Sequence, residues 1–465
     1  MKKSFKRILS TLLVLSIMLS LFAVHASAAT VSESESNNDY ASANKITLGN
    51  TIKGTISSTS DVDYFKIQTS TNGKVDITFK HTYENNGSKG WIICMYEYKD
   101  GKYTQITDYS IKYNSGEIIS LPALGVSASV VYYVAVKGIS SYYPVGKEYQ
   151  LVTSFTSTDC YEKEVNNEYA KATAISLGNT YGGNINKYDD LDFYKIVSSK
   201  DGKVNINFEH TFEDNGSKGW VVNVFEYKDG KYTEITDYTI KYNSGEKIAL
   251  PALGVVASVT YFVVVKGISS YYPVGKEYQL VTSFTSTDYY EKEINNEFAK
   301  ATPVSLGHTY GGNINKYDDL DFYKIVADKN GEIKVYFSHV YENSSLRWRI
   351  RTYVYKDGNY TELSETTVYI NKDEEVTLPA IGAEASGVYY VRVESIYGYR
   401  PVGREYTISF GGTGGGSGNN PTPVEPTDSG FFANLANLIN EWANSDNILL
   451  RILGIILKVI LPFVG

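Results

Sequence analysis

Apolar and polar residues alternate along most of this chain with a period of two, the spacing of a half-buried β-strand. Residues 63–68 and 74–79 alternate in this way and are separated by Asn72 and Gly73, a favourable turn pair. Residues 95–98 and 103–106 are joined through Asp100 and Gly101, and the same turn recurs at Asp229–Gly230 and Asp357–Gly358. An Asp-Gly pair tolerates the positive φ that a two-residue hairpin needs. Residues 130–136 and 148–155 complete a set of about eight short strands, with little helix beyond 40–45. The pattern predicts an all-β fold, a jelly-roll type of β-sandwich.

Comparison of the sequence with itself shows that this pattern occurs three times, over 31–157, 158–286 and 287–411, with a period of 129 residues. The third copy has drifted and lacks one residue between His339 and Trp348. A period this long is too large for a solenoid and predicts tandem domains, each with its own core. Residues 412–429 are a Gly/Pro/Ser-rich linker without core-forming residues. From 430 to 465 the period becomes helical, predicting a short C-terminal α-helical hairpin. Phe431, Phe432, Leu435 and Trp442 share one face of its first helix, and Arg451 and Lys458 form a cationic stripe on the second. The second helix, 448–461, would span about 21 Å against roughly 30 Å of hydrocarbon, so it is expected to lie in a membrane interface or pack on a partner or on the first helix.

At the other end, Lys2, Lys3, Lys6 and Arg7 precede an apolar run over 8–24 and the small residues Ala26, Ser27 and Ala28, the pattern of a signal peptide over 1–28. The expected location is therefore extracellular, with association with the cell surface through 431–464 as a variant of it. Removing that leader leaves 40 basic against 52 acidic residues, a formal charge of −12, which argues against a nucleic-acid partner. Cys94 and Cys160 have no counterparts in the other copies, so disulfides are not the common framework.

One pair of acidic segments recurs in every copy. Glu33, Glu35, Asn37 and Asn38 return as Glu162, Glu164, Asn166 and Asn167, and as Glu291, Glu293, Asn295 and Asn296. Each set is followed by an alternating acidic pair, Asp61 and Asp63, Asp190 and Asp192, Asp319 and Asp321. In extended chain, alternate side chains point the same way, so each set can converge on one point. Carboxylates and amide carbonyls are the hard oxygen ligands that calcium prefers over zinc or copper. For any single copy, a solvated acidic segment before an acidic strand start is the alternative. Retention of all these residues in the drifted third copy favours one Ca2+ per sandwich.

The ordered motifs resemble a known family. The E-x-E-x-N-N segment leads to an Ala-rich turn (Ala41 and Ala43; Ala170 and Ala172; Ala299 and Ala301) and a Gly-x-Ile step at Gly54, Gly183 and Gly312. D-x-D-[YF]-[YF] and a closing G-[KR]-E-Y strand follow. This order is similar to the bacterial pre-peptidase C-terminal domain, whose relatives include the collagen-binding domains of clostridial collagenases. The resemblance implies a jelly-roll sandwich with calcium held between the lead-in segment and the sheet, and adds Ser57, Asn186 and Asn315 as oxygen donors. The proline often found before the paired asparagines is Ser36, Val165 or Ile294 here, a departure bearing on stiffness more than on ligand count.

The sequence carries no H-E-x-x-H or G-x-S-x-G motif, and His81, His210 and His339 recur at strand ends without a nucleophile at repeatable spacing. The expected function is thus a secreted, non-catalytic calcium-binding protein acting as a multivalent adhesion or scaffold module for an extracellular polymer, a protein such as collagen or a glycan. Candidate contact residues are Tyr142, Tyr143, Tyr271, Tyr272 and Tyr399 in the loop before the last strand, and Trp91, Trp220 and Trp348 after the preceding hairpin; core packing is the alternative for all of them. The competing expectation is a membrane-active or envelope-anchoring protein whose C-terminal helices carry the activity.

Overall fold

In the computed structural model the described residues are 29–82, 89–211, 218–269 and 271–413. Six sheets form three successive pairs, one pair per sequence repeat. In the second repeat one sheet runs Thr173–Ala174, Leu191–Val197, Thr260–Gly267, Gly219–Lys228, Lys231–Lys241. Facing it are Thr180–Asn184, Glu277–Ser286, Gly202–Glu209 and Lys247–Ala249, with Leu253–Val255 also paired to Gly202–Glu209. The first repeat adds Thr30–Ser32, parallel to Thr51–Thr55. Each repeat has a core drawn from both of its sheets, such as Tyr181 and Leu280 against Tyr194 and Val263 in the second. Each is therefore a two-layer sandwich.

The local chemistry accounts for these elements. Asp100, Asp229 and Asp357 have φ of 51°, 52° and 53°, and each is followed by a positive-φ glycine, the geometry foreseen for the Asp-Gly hairpins. The hairpins carry a bulge after Met95, Val224 and Thr352, which shifts the register of the edge strand. The helix expected near 40–45 amounts to a turn in the first repeat and to single 3-10 turns at Tyr169–Lys171 and Phe298–Lys300 in the others. Thr173 already pairs with Tyr194, which leaves no chain for a second turn.

The tryptophans require a correction. Trp91, Trp220 and Trp348 are completely buried, so they are core residues and not a binding face. Trp220 lies 5.1 Å from Phe208, 4.9 Å from His210 and 5.3 Å from Tyr242 between ring centroids. His81, His210 and His339 pack against these indoles, a structural role. Cys94 and Cys160 are free. Among the described residues no helix is long and apolar enough to cross a membrane. The leader at 1–28, the linker beyond 413, and Phe431, Phe432, Leu435, Trp442, Arg451 and Lys458 lie outside the described residues.

Candidate metal centre

The lead-in segment of the second repeat is extended, because its backbone pairs on two sides. Glu162 N donates to Gly182 O at 3.0 Å, and Glu164 N donates to Gly125 O of the preceding repeat at 3.3 Å. Alternation then does what the sequence suggests: Glu162, Glu164 and Asn166 are buried, while Lys163 and Val165 are not. Phe193 N donates to Asn166 O at 3.3 Å, which fastens this segment to the strand bearing Asp192. The peptide bonds 35–36, 164–165 and 293–294 are all cis.

Glu162, Glu164 and Asp192 each place a carboxylate oxygen within 4.8 Å of the other two, as do Glu291, Glu293 and Asp321, and Glu33, Glu35 and Asp63. The amides are arranged around them. Asn186 Nδ2 donates to Glu164 Oε1 at 2.6 Å, and Asn315 Nδ2 to Glu293 Oε1 at 2.7 Å. Asp190 stands apart from the trio: its Oδ2 accepts from Asn186 N at 2.6 Å and its Oδ1 from Asn167 Nδ2 at 2.9 Å. Asp319 accepts from Asn315 N at 2.7 Å, and Asp61 from Ser57 N at 2.5 Å. Turning the Asn38 amide puts its nitrogen 2.7 Å from Asp61 Oδ1, matching Asn167. These aspartates thus organise the loop that presents the others.

Several buried oxygens are left without a hydrogen-bond donor: Glu162 Oε2, Asp192 Oδ1, Asn166 Oδ1 and Asn186 Oδ1 in the second repeat, and Glu291 Oε2, Asp321 Oδ1 and Asn295 Oδ1 in the third. Buried acceptors are almost always satisfied, so such a concentration is unusual. Burial, reinforced by mutual repulsion, holds Glu162 and Asp192 well above the usual carboxylate range; the same forces act on Glu291 and Asp321. Burial pushes Asp190 and Asp319 up to about 6, and Asp63 up to about 8. A divalent cation among these oxygens would relieve both the repulsion and the missing partners. The donor set is all oxygen, so the residues fit a hard cation such as calcium.

Other contributors carry weaker sequence signals. Tyr278 Oη donates to Asp192 Oδ2 at 2.7 Å and is 2.8 Å from Tyr194 Oη. Tyr149 and Tyr406 meet Asp63 and Asp321 in the same way, both at 2.6 Å. The tyrosine of the closing G-[KR]-E-Y motif is therefore what orients the inner aspartate. Tyr278→Phe is expected to destabilise the second repeat by about 1–3 kcal/mol, the range for leaving a buried polar group without its partner. Urea unfolding checks this, with Tyr149→Phe expected to cost less because position 65 is Phe and offers no second hydroxyl.

The preceding repeat also closes the second and third clusters. Asn184 Nδ2 donates to Ala123 O at 2.9 Å, Thr107 Oγ1 to Asn186 O at 2.6 Å, and Tyr132 Oη to Glu164 O at 3.2 Å. At the next junction Asn313 Nδ2 donates to Ala252 O at 2.8 Å, and Glu293 N to Gly254 O at 3.4 Å. Ion pairs flank both, Lys74 with Glu277 and Lys203 with Glu405, each at 2.5 Å. Among the described residues the first cluster has no such neighbour, and Glu35 is exposed. Its sequence differs accordingly: Ser32, Lys53 and Thr55 stand where the second repeat has Tyr161, Gly182 and Asn184.

The weakened acidity of these carboxyls fixes a pH dependence for the ion-free protein. The folded state holds protons that the unfolded chain, with an aspartate value of 3.8, has released. The stability these groups contribute is therefore fully present below about 3.8 and is lost as pH rises through about 6 and then 8, the values for Asp190, Asp319 and Asp63. In chelator the melting temperature is expected to drop steadily from pH 5 to pH 8; a flat or rising profile would contradict the buried cluster.

Of the tyrosines expected at a ligand face, Tyr142, Tyr271 and Tyr399 are 48%, 50% and 38% exposed, whereas Tyr143 and Tyr272 are half-buried. Tyr399 is covered on one side by Arg347, whose guanidinium is 3.6 Å from its ring centroid.

No family model and no curated protein matches the chain. Among solved structures it is similar to the pre-peptidase C-terminal domain of a collagenase from Bacillus anthracis, at 20% identity over 24% of this chain and 94% of that one, with a TM-score of 0.19. It is also similar to the N-terminal tandem CBM22 domains of Xyn10C from Paenibacillus barcinonensis, at 9% identity over 48% of this chain and 82% of that one, TM-score 0.17. A third similarity is to the CUB1-EGF-CUB2 domains of human MASP-1/3, at 9% identity over 51% of this chain and 97% of that one, TM-score 0.15.

Proposed function

We propose that this protein is a secreted, non-catalytic calcium-binding array that presents three β-sandwiches to an extracellular polymer as one stiff unit. The observation that carries the reading is the closed carboxylate and amide cluster at each internal junction, built from the lead-in segment and sheet of one repeat and walled by the repeat before it. Glu162, Glu164 and Asp192, with Asn166 and Asn186, would hold the ion in the second repeat; Glu291, Glu293, Asp321, Asn295 and Asn315 are their counterparts in the third. Glu33, Glu35, Asp63, Asn37 and Ser57 form a more open version in the first.

Such a position suits a clamp better than a catalyst, since the walls leave no approach for a substrate. An ion there neutralises the carboxylates only while the lead-in segment lies against both neighbours, so binding and docking favour each other. Three sandwiches held in register give avidity without any one face binding tightly. Calorimetric titration of the chelated protein with CaCl2 tests the reading. Two tight, coupled sites and one weaker site are expected; no heat of binding, together with an unchanged melting curve, would end it.

A further inference from the structure

Between the second and third repeats lies a cleft of about 540 Å³ that belongs to neither cluster. Asp237 and Tyr238 line one side, and Lys316, Tyr317, Asp318 and Arg400 the other. Tyr317 is 68% exposed, and the Arg400 guanidinium sits 4.7 Å from its ring centroid. The same guanidinium is 4.8 Å from the ring of Tyr397, which is 84% exposed. Arg400 lines the cleft beside Asp237 and Asp318, with its guanidinium against the two rings. Lys316 is already engaged, donating to Glu234 O at 3.1 Å and lying 3.7 Å from Asp318.

We propose that this cleft binds a neutral carbohydrate chain. The ring of Tyr317 offers a flat apolar face for the C–H side of a pyranose, held in place by the cation behind it. Arg400 and the carboxylates of Asp237 and Asp318 offer forked donors and paired acceptors, the complement of vicinal hydroxyls. With Glu234 the lining holds three carboxylates against two cations, which disfavours a phosphate or a strongly anionic polymer. Val402 is the one aliphatic residue lining the cleft, so it lacks the apolar pockets that anchor peptide side chains. The first junction keeps Lys187, Tyr188 and Asp189 but has Tyr272 where the second has Arg400, so the complete set occurs once.

The proposal rests on the calcium-clamped junction, because the two walls belong to different repeats. The test titrates the full chain, in calcium and in chelator, with cellohexaose, xylohexaose, mannohexaose and chitohexaose, and with a (Gly-Pro-Hyp) triple-helical peptide. Calcium uptake is measured on the same samples. At least one oligosaccharide is expected to bind in calcium, to be weakened tenfold or more by Tyr317→Ala and by Arg400→Ala, and to be lost in chelator. Both variants should keep wild-type calcium uptake and melting. With uptake intact, binding of no oligosaccharide, binding unaffected by either variant, or binding of the peptide alone at these residues would overturn the cleft. Absence of calcium uptake, with sugar binding kept in chelator, would instead remove the clamp and leave the cleft.

Discussion

Stripping divalent ions from the full chain at pH 7.5 is expected to lower its melting temperature by roughly 10–15 °C and to expose 158–166 and 287–295 to protease. The size follows from linkage: an ion at a thousand times its dissociation constant stabilises by about 4 kcal/mol. A sandwich of this length shifts by about 3–4 °C for each kcal/mol. The buried clusters add a reason for the loss to be abrupt. Without a cation, Glu162 and Asp192 must either take up protons or repel each other inside the junction. Releasing the lead-in segment breaks the bond from Glu164 N to Gly125 O and that from Tyr132 Oη to Glu164 O, so the neighbouring repeats part together with the cluster. Differential scanning calorimetry and timed proteolysis, each with calcium and with chelator, check the two halves. Equal melting and equal cleavage in both conditions would reject the clamp.

Much of this was written in the chain. The alternation of Glu162, Glu164 and Asn166 could be read because extended backbone repeats every two residues, and the same arithmetic placed Asp192 at a strand start. Period two does not say which face is inward, and that is where Trp220 misled: its strand has both faces largely covered, so the indole went to the core. Tyr278 belongs to a legible motif, but its partner Asp192 lies 86 positions away, and no local pattern links a closing strand to an opening one. Least legible were the junction contacts. Ala123 O and Gly125 O are backbone atoms, which have no residue-type signature. Their trace was indirect, in the contrast between Tyr161 and Asn184 in the second repeat and Ser32 and Thr55 in the first, whose lead-in segment touches no other repeat among the described residues.

That contrast leads to a substitution experiment with an internal control. Gly125, Gly254 and Gly382 are equivalent positions in the three repeats. A Cβ on Gly125 would run into the backbone carbonyl of Glu162, and one on Gly254 into that of Glu291, whereas one on Gly382 meets nothing within 4 Å. The glycine is thus needed where a following lead-in segment lies against the edge of the sheet, and the third repeat keeps it without that demand. Gly254→Ala is expected to force the second and third repeats apart, since the obstacle is backbone that cannot rotate away, at a cost of about 3 kcal/mol. If ion binding and docking are coupled, that cost appears as a roughly hundredfold weaker affinity at Glu291, Glu293 and Asp321. The other two clusters should be untouched, and protease should cut at 287–295 even in calcium. Gly382→Ala should change neither affinity nor cleavage. Calcium titration of both variants beside wild type decides it: equal affinities for Gly254→Ala and Gly382→Ala would mean that the third cluster fills without the second repeat's help.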